Sequence, residues 1–152
     1  MAEMTRRKAG ASGPVLVLAG PQSRAVLQNL TDVDLSNAAF PWLSGQSISV
    51  GRARAHALRV NFVGELGWEL HHPIEMQNAI FDDLMRAGEA YGIRLFGIRA
   101  MDAMRLEKSY RLIPRELSIE YSAYESGLDR FVHPNKGAFI GRDALVQRRE
   151  GG

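Results

Sequence analysis

The amino-acid sequence predicts an α+β fold in which an antiparallel sheet carries helices on one face. Between residues 15 and 72, short runs that are either apolar or alternate between apolar and polar residues are separated by glycine and proline, and they predict strands. Residues 73–92 instead place apolar side chains at helical spacing. Hairpin strands followed by helices are typical of an α+β sandwich of the split βαβ kind, here with an irregular C-terminal tail.

The predicted elements follow the order β-α-β-β-β-α-β-α, and a terminal helix lies in the tail. The predicted strands are residues 15–19, 47–50, 53–63, a fourth strand that ends at His72, and a short candidate at 93–96. The predicted helices are residues 22–30, 73–92, 98–108 and 141–149. Pro73 and Gly92 suit the start and the end of the second helix, because proline tolerates a first turn and glycine a C-cap.

Composition divides the chain into three regions. Residues 1–13 form a leader of Ala, Gly, Ser and Arg with little to bury, which is typical of a flexible segment. Residues 14–108 form the α+β core. Residues 109–152 form an extended segment and a terminal helix.

Composition also excludes several function classes. The 152 residues include no cysteine, which excludes disulfide scaffolds, thiolate metal sites and cysteine nucleophiles. The net charge is +2, from 19 basic and 17 acidic residues. The sequence contains no basic stripe with interleaved aromatic residues, so nucleic-acid binding is not predicted. No apolar run is long enough to cross a membrane, and the cytoplasm is the expected compartment.

Residues 59–72 predict a hairpin around which the candidate chemistry is organised. Two apolar runs flank a segment containing Gly64 and Gly67, which permit the positive φ angles of a tight connection. Glu65 is expected at the tip and Glu69 just inside the second strand.

Glu69 is the candidate binding residue. A carboxylate on a strand can accept two parallel hydrogen bonds from a ligand with adjacent N–H donors. The residue pattern alone favours a solvated strand residue at this position, and a ladder of ion pairs for Arg99, Asp102 and Arg105 on the later helix. The histidines lack the spacing of metal ligands, so no metal site is predicted.

Three motifs resemble the folate-binding aminomethyltransferase family, which includes the glycine cleavage T-protein. They read FVGELGWEL, GIRAMDAMRLEKSYR and KGAFIGRDAL, in that order. The RAMDAMRLEK form is more similar to the folate-binding part of dimethylglycine and sarcosine dehydrogenases, and the GPQSRAVLQNL run fits the same subgroup. The resemblance covers residues 14–149.

The resemblance implies transfer of a one-carbon unit from a methylamine-derived group to tetrahydrofolate. It implies that Glu69 grips the pterin ring and that Phe62 lines the same pocket, where many relatives carry a tyrosine. Family members with a substrate-binding arginine carry it at the position of Met101. Arg99 lies nearby but is not equivalent to that arginine, and it is the candidate here for contact with the folate.

The resemblance also selects between two registers of the hairpin. Matching the apolar sides would pair Phe62 with Trp68 across a connection of five residues. A shift of one residue puts Phe62 and Glu69 on the same side of the sheet, as a shared pterin site requires, and we expect this second register.

Two parts of the family pattern have no counterpart in this sequence. The family's catalytic aspartate lies before the counterpart of Pro14, so no catalytic residue is assigned, and the barrel that follows residues 109–152 is missing. We therefore expect a folate-binding portion of a longer enzyme, with a folate and a methylamine-derived substrate as small-molecule partners. The alternative is a non-catalytic folate-binding or protein-interaction module. Exposed apolar surface is expected to favour a homo-oligomer.

Overall fold

The computed structural model describes residues 13–151, which fall into two compact units. The first unit ends at Met104 and the second begins at Arg105. Residues 1–12, most of the predicted leader, lie outside the described residues. Within residues 13–151, no helix is long and apolar enough to cross a membrane.

Four strands form one antiparallel sheet in the first unit. They are β1 (Val15–Ala19), β2 (Gly45–Val50), β3 (Ala53–Leu58) and β4 (Gly67–His71). Their order is β1-β4-β3-β2, so β1 and β2 are the edges. Because each neighbouring pair is antiparallel, β1 and β3 run parallel with β4 between them. The predicted α+β class is confirmed, and β2 as well as a helix lies in the connection from β1 to β3.

Helices cover one face of this sheet, as predicted. The α-helices within residues 13–151 are α1 (Ser23–Gln28), α2 (Gln77–Gly88), α3 (Ile98–Glu107) and α4 (Arg142–Glu150). Side chains from α1 and α2 join those of all four strands in one buried cluster, which includes Leu18, Val26, Leu27, Ile48, Ala57, Trp68, Leu70, Ile80 and Leu84.

Trp68 is the central side chain of that core. It is fully buried on β4, and the Phe40 ring packs against it edge to face, with ring centroids 6.2 Å apart and an interplanar angle of 66°. Such a pair stabilises the folded state by about 0.5–1.5 kcal/mol beyond the contribution of the buried area. The side of β4 that carries Trp68 is therefore packed in the core, and a candidate site on β4 must lie on the other side.

The second predicted helix begins and ends as expected, but the strand predicted after it is wrong. A short 3-10 turn, Ile74–Met76, precedes α2, and Gly92 ends the helical stretch with a left-handed φ of 69°. Residues 93–96 form no strand, because Ile93 instead closes the helix end. Its backbone N–H donates to the carbonyl of Gly88 at 3.1 Å, and it packs against the core.

The second unit is irregular, and its residues gather around a buried cation. The Arg105 side chain is fully buried and donates to the two carboxylate oxygens of Glu116 at 3.1 and 3.4 Å and to the Tyr110 carbonyl at 2.9 Å. The backbone N–H of Leu112 donates to Glu116 at 2.8 Å. The hydrogen bond from Leu112 and, after it, the charge of Arg105 lower the pKa of Glu116. Arg105 therefore binds Glu116 in addition to any neighbour on its own helix.

Candidate functional site

The connection between β3 and β4 is organised by Asn61. Its side-chain carbonyl accepts the backbone N–H groups of Val63 at 2.9 Å and Glu65 at 3.3 Å, and its amide donates to the Glu65 carbonyl. Gly64 has a φ of 73°, which confirms the predicted need for glycine there. Glu65 is exposed near the tip, as expected.

Gly67 has a different role from the one predicted. Its φ is not positive, and it lies inside β4 opposite Ala19. A Cβ atom at this position would lie 2.5 Å from the Leu18 carbonyl oxygen and 3.1 Å from Asn61 Nδ2. Glycine therefore allows β1 and the connection to approach β4 closely.

Both predicted registers of the hairpin are wrong, because β3 ends sooner than its apolar pattern suggests. Leu58 is the last residue of β3 and pairs with Glu69, so the connection spans residues 59–66. Arg59 turns toward another loop, where its N–H donates to the Ser44 carbonyl at 2.9 Å. Phe62 consequently lies in the connection and is not paired in the sheet.

Glu69 projects from the sheet face opposite the core. Side chains alternate along a strand, so Glu69 and His71 lie on one side of β4 and Trp68 on the other. The register places Val17 of β1 and Leu58 of β3 on either side of Glu69. The carboxylate therefore lies between two apolar side chains on an open, partly hydrated face.

His71 is the hydrogen-bond partner of this carboxylate. His71 Nε2 and Glu69 Oε2 are 3.3 Å apart, and the two side chains are 38% and 32% exposed. A carboxylate has about four lone-pair positions, so one bond from histidine leaves acceptors for a ligand. Sequence reasoning missed this pair, although the i, i+2 spacing of Glu69 and His71 on a predicted strand was the available signal.

A second histidine faces the pair from β3. His56 is the cross-strand partner of His71, and its Nδ1 lies 3.4 Å from the Ser47 hydroxyl on β2. Among residues 13–151, no group of three or more histidine, aspartate and glutamate side chains is arranged to hold a metal ion.

The other two predicted site residues lie on different elements from Glu69. Phe62 is half-buried in the connection before β4, close in sequence to the site. Arg99 is exposed on the first turns of α3. The hydrogen bond of the Glu69 carboxylate is with His71 and not with Arg99.

An apolar cleft of about 610 Å³ lies beside the edge strand β1 and contains none of the three predicted residues. Its mostly apolar lining includes Val17, Phe81, Met85, Leu95 and Ile98. Sequence reasoning missed this cleft, because the edge position of β1 depends on pairing with distant β4. The absence of any charged residue in Val15–Ala19 was the only local signal.

Fold and site together define an α+β domain that presents one carboxylate on the open face of its sheet. The chain belongs to the GCVT N-terminal domain family, whose profile matches residues 3–136. This match confirms the resemblance drawn from the three motifs.

Similar proteins include two dehydrogenases and an aminomethyltransferase. The chain is 46% identical over 134 residues to human mitochondrial dimethylglycine dehydrogenase, and the matched region covers 88% of this chain and 16% of that protein. It is 39% identical over 140 residues to human mitochondrial sarcosine dehydrogenase, covering 91% and 15%. It is 34% identical over 137 residues to an aminomethyltransferase of Caldanaerobacter subterraneus subsp. tengcongensis, covering 90% and 36%. The chain thus spans a small part of the length of these relatives.

Proposed function

We propose that this chain is the folate-binding portion of an aminomethyltransferase-like enzyme. The reaction is the transfer of a one-carbon unit from a methylamine-derived group to tetrahydrofolate. Membership of the GCVT N-terminal domain family and the similarity to proteins named aminomethyltransferase and dimethylglycine dehydrogenase support this proposal. The cytoplasm is the proposed compartment, although the human dehydrogenases are mitochondrial by name.

The open carboxylate of Glu69 is the observation that carries the proposal. A pterin ring presents its 2-amino group and a neighbouring ring N–H side by side, and a carboxylate accepts two such donors in parallel. Val17 and Leu58, the neighbours of Glu69 in the sheet, offer apolar surface to a flat ring. The residues present therefore fit a reduced folate, whose nitrogen accepts the one-carbon unit when the folate is bound.

Phe62 and Arg99 are the other residues proposed to contact the folate. Phe62 precedes β4 in the connection that Asn61 holds, and a phenylalanine there supplies apolar contact without the phenol oxygen of tyrosine. Arg99 is exposed and carries the charge that a folate carboxylate would need.

A non-catalytic module is the second candidate, and the cleft beside β1 favours it. A largely apolar cleft on an edge strand is typical of a binding surface for another polypeptide. Transfer of a one-carbon unit to tetrahydrofolate by the isolated chain, even at a low rate, would separate the two candidates in favour of the enzyme.

The test is calorimetric titration of the full chain with a reduced folate. Glu69→Gln keeps the side-chain shape but replaces one carboxylate oxygen, an acceptor for the ligand, with an amide NH₂ group, a donor. The lost charge-assisted bond and the unpaired N–H should weaken binding by about 2–4 kcal/mol. The free energy of unfolding should change little, because Glu69 is partly exposed and its ion pair is screened.

Glu65→Gln is the matched control. Glu65 is an exposed glutamate in the connection just before β4, and its replacement should leave folate affinity almost unchanged. Equal losses from both substitutions, or an unchanged affinity in Glu69→Gln, would refute the role of Glu69.

A further inference from the structure

Two arginines from distant parts of the first unit converge on one amide oxygen. Arg24 Nη2 on α1 lies 2.6 Å from Asn37 Oδ1, and Arg59 Nη2, just after β3, lies 2.8 Å from the same atom. Arg59 also donates through Nη1 to the Phe40 carbonyl at 2.6 Å. Two guanidinium groups therefore share a neutral acceptor.

Neither guanidinium is neutralised within residues 13–151. The hydrogen bonds of Arg24 and Arg59 go to amide and backbone oxygens, and no described carboxylate pairs with them. Asp34, in the same loop as Asn37, is occupied by the backbone N–H and the hydroxyl of Ser36. Other arginines of the chain do pair with carboxylates, namely Arg86, Arg105, Arg142 and Arg148.

This arrangement leaves hydrogen-bonding capacity and charge unsatisfied. The Nε atoms of Arg24 and Arg59 are both buried without a hydrogen-bond partner. Burial first, and then the charge of Arg24, lower the pKa of Arg59. Like charges held this close raise the free energy of the folded state unless an anion lies between them.

We propose that Arg24, Arg59 and Asn37 form a binding site for one oxyanion, a carboxylate or a phosphate group. The planar fork of each guanidinium matches the geometry of both groups, and two forks from different elements would hold one anion from two sides. Asn37 is exposed and both arginines are half-buried, so the cluster lies at the surface of the unit. The site does not depend on Glu69 or on folate.

The test measures binding of simple anions to the full chain. Thermal unfolding is followed in sodium phosphate and in sodium acetate, each compared with sodium chloride at the same ionic strength, so that screening is constant. One of the two anions should stabilise the wild type more than chloride does, and the identity of that anion distinguishes a phosphate from a carboxylate site.

Arg24→Gln is the decisive variant, because within residues 13–151 the Arg24 side chain bonds only to Asn37, and its loss should spare the fold. It should weaken binding of the stabilising anion by about tenfold or more. Arg54→Gln is the control, since Arg54 is an exposed arginine on β3 whose removal changes the net charge equally. Arg54→Gln should leave anion binding within a factor of about two.

The nuclear magnetic resonance signals of the arginine Nε–H groups give a second measurement that needs no variant. The same anion should shift the Nε–H signals of Arg24 and Arg59 in the wild type, with a midpoint equal to that from unfolding. Stabilisation no greater than with chloride for both anions would overturn the site. So would equal weakening in Arg24→Gln and Arg54→Gln, or unmoved Nε–H signals.

Discussion

Glu69 Oε2 and His71 Nε2 lie 3.3 Å apart on the face of β4 that points away from the core. The two residues are separated by one position on a strand, so the alternation of side chains brings them to the same side. The proposed pterin anchor is thus hydrogen-bonded to a side chain of its own strand.

His71 should position the Glu69 carboxylate for the proposed folate. Its hydrogen bond with Oε2 restrains the carboxylate, so His71→Ala should weaken affinity for a reduced folate. Because both side chains are about one-third exposed, the decrease should be no more than about fivefold. His71→Gln keeps a donor and should restore most of the affinity, as calorimetric titration would measure.

His56 and Arg54 are the other charged or titratable residues on β3 that share this face, while β1 contributes only Val15 and Val17 beside the pair. His56→Ala is therefore the control and should leave the affinity almost unchanged. A His71→Ala variant with the affinity of the wild type would show that His71 does not act on Glu69.

Glu116 should contribute to stability against acid. Its pKa is lowered, first by the hydrogen bond from Leu112 and also by Arg105. A lowered pKa in the folded state stabilises the fold above the ordinary glutamate value of 4.5, and this contribution is lost as pH falls through the lower folded value. Glu116→Gln should therefore be less stable than the wild type at pH 7, with a difference that shrinks in acid.

Chemical denaturation at several pH values between about 7 and 3 would measure that difference. Glu120→Gln, an exposed glutamate in the same unit, should show almost none of it. A constant difference between Glu116→Gln and the wild type at every pH would contradict the assignment.

Gly88 should be required at the end of α2. A Cβ atom there would lie 2.7 Å from the Cβ and Cδ1 atoms of Ile93, whose own N–H is fixed by the Gly88 carbonyl. Overpacking of this kind costs about 1–3 kcal/mol, against about 1 kcal/mol gained from the helix propensity of alanine. Gly88→Ala should therefore lower the free energy of unfolding by up to about 2 kcal/mol in urea titrations.

Gly97 is the matched position, because a Cβ atom there would meet nothing within 4 Å and its φ is not positive. Gly97→Ala should change stability by less than about 0.5 kcal/mol. A Gly88→Ala protein as stable as the wild type would mean that Ile93 moves away freely.

The exposed apolar residues after α2 should cause the chain to self-associate. Leu95, Phe96 and Ile98 are 70%, 42% and 71% exposed and line the cleft beside β1. Exposed apolar patches of this kind favour association. Sedimentation at increasing concentration should show oligomers, and Leu95→Ser should weaken association more than Ile119→Ser, a change at an exposed residue that does not line this cleft. A monomer over a wide concentration range would contradict this expectation.

The hairpin shows how far local pattern predicts this fold. A short apolar run located β1, and alternation located β4 and placed Trp68 and Leu70 together on one apolar side, which is buried. Alternation extended β3 to residue 63, although β3 ends at Leu58. That boundary depends on the hydrogen bonds of Arg59 with a loop many residues earlier, which no local pattern contains.

The sequence by itself determined the α+β class, the family and Glu69 as the candidate anchor, since each depends on short-range patterns of side chains. Only the tertiary structure decided that β1 is an edge strand, that His71 bonds to Glu69, and that Arg24 and Arg59 meet at Asn37. The physical reason is the range of the interactions. Periodicity and turn chemistry act over a few residues, whereas strand order and the meeting of charges depend on contacts between segments far apart in the chain.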